Sequence, residues 1–251
     1  MYIRTPTMST DPTVPSDHVV ATRIDWVRRG SQFFTDTLDR IPDAEFAIGS
    51  LLPGWTRAHV AGHLARNADA LLNLLTWART GRETPMYGSA ADRIAGINAA
   101  AARPADAIRR DVTISNARLA SALESLPAQA WAKVVRTARG RHVPAAEITW
   151  MRAREVWVHA VDLNAGTTFA DIPADIRAAL LSDALSSAAS HPDSPRVHVT
   201  ATDSEIDETL GSEGPPITVI APVIDLLPWA LGRTQLCPPQ AADWVSLPAW
   251  L

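Results

Sequence analysis

Cysteine is almost missing: Cys237 is the only one in 251 residues. A single thiol excludes an internal disulfide framework and a zinc site built from cysteines, and it fits a reducing, cytoplasmic setting. Cys237 sits among prolines in "LCPPQ", with no histidine within several residues, which argues against a nucleophile. No apolar run reaches the roughly eighteen residues that a membrane-spanning helix requires, so no membrane partner is expected. Blocks of one charge are also lacking. The 23 basic residues are interspersed with 27 acidic ones, for a net charge of −4, which argues against nucleic acid or an anionic membrane surface as a partner. The opening residues 1–17 lack the apolar core of a signal peptide and are expected to form a flexible tail, within which Met8 is a second candidate start.

Hydrophobic residues make up 47% of the chain, enough at this length for a sizeable core and two domains. From His18 to about Ile41 an amphipathic pattern predicts a helix, with Val27, Phe34 and Leu38 among its apolar positions. Pro53 and Gly54 break the chain, Thr56 offers an N-cap, and a second helix should run to Thr80, where Gly81 stops it. Residues Ser89 to Leu126 are Ala-rich and helical, with an interruption near Pro104. A further helix covers about Ala145 to Asn164. Four long helices with modest connections predict an up-and-down four-helix bundle over 18–165.

After Gly166 the texture changes. "PADIRAALLSDALSSAAS" is one helix, "RVHVTAT" and "PITVIAP" are short β-rich runs, and "VIDLLPWALGR" is helical with Pro228 inside it. Residues 166–251 are therefore expected to form a small α+β domain, and the fold as a whole to be mainly α.

Polar residues stand out within "EVWVHAVDL", where Glu155, His159 and Asp162 lie four and three residues apart. On a helix they share one face, joined by Ile148 and Met151. Val156, Trp157, Val158, Ala160 and Val161 fill most of the remaining circumference, the mark of a buried helix. Two alternatives stay open. Either the stripe is solvated, with Arg152 and Glu155 an ordinary surface pair, or it looks into the bundle, where an unpaired charge is costly.

The second helix carries "HVAGHLARNADALLNLL". His63 lies at the edge of its apolar stripe and His59 further toward solvent. Two inward histidines and a glutamate are borderline ligands that suit zinc, with a position left for water or substrate. Such spacings also arise by chance. The zinc-protease signature does not apply, because Val60 stands where that motif needs Glu. Arg233 ends "LLPWALGR", either as a helix-terminal cation or as a carboxylate-binding residue.

"LPGWTRAHVAGHLARNADALLNLLTWARTG", "TPMYGS" and "REVWVHAVDL" together resemble the mycothiol-dependent maleylpyruvate isomerases of the DinB-like metalloenzyme superfamily. The likeness continues into "PITVIAPVIDLLPWALGR" and the closing "LPAW", departing from the family's usual pattern at Ala221 and Pro228. The resemblance implies a DinB-like metal-binding bundle followed by a small sterol-carrier-like domain. It implies zinc, or another divalent metal, on His63, Glu155 and His159, and active-site roles for Asp162 and Arg233. It also implies mycothiol as thiol cofactor.

The expected activity is cis–trans isomerisation of maleylpyruvate, or a related unsaturated keto acid, to its fumaryl isomer. A thiolate adds to the cis double bond, rotation follows, and the thiolate is expelled. The expected partners are the small-molecule substrate and a low-molecular-weight thiol, with a monomer or small homo-oligomer left open. Two other functions remain in view. One is an S-transferase that conjugates mycothiol to an electrophile, since fold alone does not fix function. The other is a non-catalytic ligand-binding module.

Overall fold

The structure, a computed structural model, describes residues 14–235, 245–248 and 250. Most of the expected tail, with Met8, and Cys237 lie outside the described residues, as does part of the closing "LPAW". The chain divides into two compact units, 1–165 and 166–251.

The first unit is helical. α1 (Asp17–Asp39) starts where Ser16 accepts the Val19 N–H. α2 (Arg57–Thr80) starts in a capping box of Thr56 and His59 and ends at Gly81, whose φ of 73° is the left-handed conformation that glycine adopts without strain. The Ala-rich region forms two helices, α3 (Ala90–Ala101) and α4 (Ala105–Glu124), because Pro104 cannot continue the first and instead precedes the second. α5 (Glu147–Asp162) completes the set. α1, α2, α4 and α5 form the bundle, α1 against α4 and α5, α2 against α4 and α5, while α3 lies on α2. Phe34, Leu38, Leu64, Leu71, Leu74, Val112, Val156 and Val158 are fully buried between them. A hairpin unforeseen in the sequence, β1 (Val134–Arg136) and β2 (His142–Pro144), turns at Gly140 before α5.

The second unit is mixed. α6 (Ala174–Ala189) precedes a three-stranded sheet of β3 (Val197–Ala201), β4 (Asp207–Leu210) and β5 (Ile217–Ala221) in the order β4-β3-β5. β3 pairs antiparallel with β4 and parallel with β5, so its alternate residues Val197, Val199 and Ala201 are buried. α7 (Val223–Ala230) is only eight residues long and packs on α6. Pro228 removes a helical N–H near its end, and Leu231, Gly232 and Arg233 follow in a turn. Among the described residues, no helix is long and apolar enough to cross a membrane.

Candidate metal centre

The bundle brings three side chains from two helices to one point. His63 comes from α2, and Glu155 and His159 come from α5, one helical turn apart. Glu155 Oε2 lies 2.9 Å from His63 Nε2 and 3.1 Å from His159 Nε2. The two imidazole rings meet edge to face at 5.0 Å. The three are 4%, 9% and 5% exposed, so the stripe faces inward and the solvated-face alternative fails. His59, taken up by the capping box at the start of α2, stays out of the cluster.

The junction between α2 and α5 is fixed by hydrogen bonds. Arg57, in the first turn of α2, donates from Nε to the Leu163 carbonyl at 3.0 Å and from Nη2 to that of Asn164. Leu51 N–H donates to the Asp162 carbonyl at 3.0 Å. These bonds satisfy carbonyls at the end of α5 and hold that end against the start of α2. Trp55, on the same loop, sets its ring edge-on to His63 at 5.5 Å.

Asp162, fully buried, accepts the Nδ1–H of His159 at 2.8 Å, which leaves His159 Nε2 for the cluster. His63 Nδ1 is buried with no hydrogen-bond partner among the described residues. The electrostatics follow from this asymmetry. Burial lowers the pKa of both histidines. At His63 it prevails over the raising effect of Glu155, whereas at His159 the hydrogen bonds to Asp162 and Glu155 outweigh it and raise the pKa to about 9. Burial alone would raise Glu155, but the two histidines hold it well below the usual carboxylate range.

Two imidazoles and one carboxylate form a donor set that fits a divalent metal. Their ligand atoms all lie within 4.8 Å of one another, and a tetrahedral ion with bonds of about 2.1 Å places its ligands about 3.4 Å apart. Three donors leave a position open for a further ligand.

The structure thus gathers four of the residues singled out in the sequence: His63, Glu155, His159 and Asp162. Arg233 belongs to the second unit. It follows α7, half-buried, with Nη1 donating to the Leu231 carbonyl at 2.6 Å. Sequence reasoning did not bring Trp55 and Arg57 to the site, and it named Arg152 only as half of a possible surface pair. Arg152 is 1% exposed, and it makes hydrogen bonds to neutral acceptors rather than the surface ion pair with Glu155. A cation within a helix apolar almost all round was the available signal.

A helical bundle with a buried His–Glu–His set on two facing helices defines a class, the bundle protein whose interior side chains are compatible with a metal site. The particular family follows from comparison with known proteins. A family model described as the mycothiol maleylpyruvate isomerase N-terminal domain matches residues 27–164. Two crystal structures of the mycothiol-dependent maleylpyruvate isomerase, one of them a histidine-to-alanine variant, are each 37% identical to this chain. Each superposes with a TM-score of 0.82, covering 86% of this chain and 90% of the other. The chain belongs to the mycothiol maleylpyruvate isomerase family, a family of enzymes. A comparison with curated proteins gave no match.

Proposed function

We propose that this chain is a mycothiol-dependent cis–trans isomerase of maleylpyruvate, or of a closely related unsaturated keto acid, with zinc or another divalent metal held by His63, Glu155 and His159. The observation that carries this is the convergence of those three side chains from two helices in the bundle interior, in a chain of this family. A bound metal would supply Lewis acidity that favours the thiolate form of a thiol near neutral pH. A thiol whose addition and later loss leaves it unchanged supplies the transient single bond that rotation requires.

The chain's own residues prepare the place for this. Asp162 fixes the tautomer and ring orientation of His159. Glu155 brings its charge into the bundle interior from a helix on which Val156, Val158 and Ala160 are fully buried. Trp55 shields one side of His63. Arg233 is assigned to grip a substrate carboxylate, a role that its planar fork of donors suits. The family resemblance of its "LGR" segment supports this assignment.

The test is to load the purified protein with zinc and supply maleylpyruvate with mycothiol in less than stoichiometric amount. Full conversion to the trans isomer with mycothiol recovered is expected. Conversion that stops when mycothiol is exhausted would show an S-transferase instead, and no conversion with metal bound would remove the isomerase reading.

A further inference from the structure

Arg152 is fully buried, and its guanidinium is hydrogen-bonded to neutral acceptors. Its Nη1 donates to the Leu64 carbonyl at 2.9 Å and to Asn67 Oδ1 at 2.7 Å, and its Nη2 donates to Asn116 Oδ1. No carboxylate lies within ion-pair distance among the described residues, and Nε is buried without a partner. Arginine is seldom fully buried unless paired, because the desolvation of its charge is not returned by neutral acceptors alone. Glu155, the carboxylate that acts most strongly on Arg152, makes no ion pair with it, and Asp69, which acts more weakly, is engaged with Arg66 and Arg118. Arg152 stands one helical turn before Glu155, and its contact at Leu64 adjoins His63. The unpaired charge therefore sits beside the metal centre.

This position of Arg152 sets the net charge of the centre. Glu155 and Asp162 are both buried carboxylates of the centre and together balance a divalent ion. Arg152 is then an excess positive charge in a dry interior, where fields are weakly screened. We infer that Arg152 is an electrostatic element of the site: it keeps the metal-loaded centre net positive, so that the centre favours anionic ligands, a thiolate or a carboxylate, over neutral ones. This deepens the metal-centre reading above and rests on it.

Asn67 supplies the discriminating variant. In Asn67→Asp a carboxylate takes the place of the amide oxygen that accepts from Arg152, so the hydrogen bond survives while the charge is cancelled. Cobalt(II) affinity of the folded, metal-free protein is measured first, by competition with a chromophoric chelator. Thiocyanate binding to the cobalt-loaded protein is then read in the visible spectrum.

Asn67→Asp should bind cobalt about tenfold more tightly and thiocyanate about tenfold more weakly. Arg152→Lys, which keeps the charge, should hold both affinities within about twofold of wild type. Arg152→Met, where it folds, should follow Asn67→Asp. Unchanged cobalt and thiocyanate affinities in a folded Asn67→Asp protein would overturn the proposal, even if its thermal stability shifted. A wild-type protein that binds no cobalt would instead overturn the metal-centre reading itself.

Discussion

Asp162 and His159 lie one turn apart on α5 and share a hydrogen bond of 2.8 Å, buried at both ends. A ligating imidazole whose second nitrogen is anchored by a carboxylate is held in one tautomer and one orientation. Asp162→Ala should leave the bundle folded and weaken metal affinity by about 10- to 100-fold. Chelator competition on the purified variant measures this. An affinity equal to wild type would show that packing alone orients the ring.

His63 is the one member of the proposed ligand set that α2 contributes, so its loss would leave a set drawn from a single helix. His63→Ala should lose both metal and turnover. Metal analysis after dialysis, together with the isomerase assay, tests the assignment, and a variant that kept both would refute it.

Arg233 lies in the second unit, outside the donor set. Arg233→Ala should therefore retain a full complement of metal while turnover falls, by about 100-fold for the loss of a charged hydrogen-bonding partner. Unchanged kinetics would remove its proposed role in gripping substrate.

What could be read in the sequence follows from the strength of each local signal. Thr56 and Gly81 mark the ends of α2 because a cap and a left-handed turn demand particular residue types. The i, i+4 spacing of Glu155 and His159 names a shared face without a structure. β4, the "DETL" segment, escaped because its alternation is weak and three of its four residues are not buried. The β1–β2 hairpin has strands of three residues, too short to show a period. The setting of Arg152 is hidden from the sequence for another reason. Residue type reports that a side chain is charged, but its acceptors, Leu64, Asn67 and Asn116, lie 36 to 88 positions away.

Protonation of the metal-free centre gives a prediction with a definite sign. The folded pKa of His159, about 9, exceeds its ordinary value of 6.5. The stabilisation from its protonated form is thus fully present below pH 6.5 and is lost as pH rises through 9. Metal requires the neutral imidazole, so binding at pH 8 should release close to one proton from His159, and at pH 10 almost none. Calorimetric titrations in two buffers of different ionisation enthalpy count the protons. A release that does not fall between pH 8 and pH 10 would contradict the pairing with Asp162 and Glu155.

The contact between α1 and α5 depends on Gly30. A Cβ added there would lie 2.5 Å from Val156 Cγ2 and 2.7 Å from Trp157 Nε1, too close for either to remain in place. Val156 is fully buried, and Trp157 is held by a hydrogen bond from Nε1 to the Trp26 carbonyl at 3.0 Å. Neither side chain has an easy escape. Overpacking of this kind costs about 1–3 kcal/mol, against a gain of about 1 kcal/mol from replacing a mid-helix glycine by alanine. Gly30→Ala should therefore lower the melting temperature by several degrees, as calorimetry would record. Val156 and Trp157 follow Glu155 directly, so metal affinity should weaken as well. A variant as stable as wild type, with its metal affinity intact, would mean that α1 can withdraw from α5 without disturbing the ligand helix.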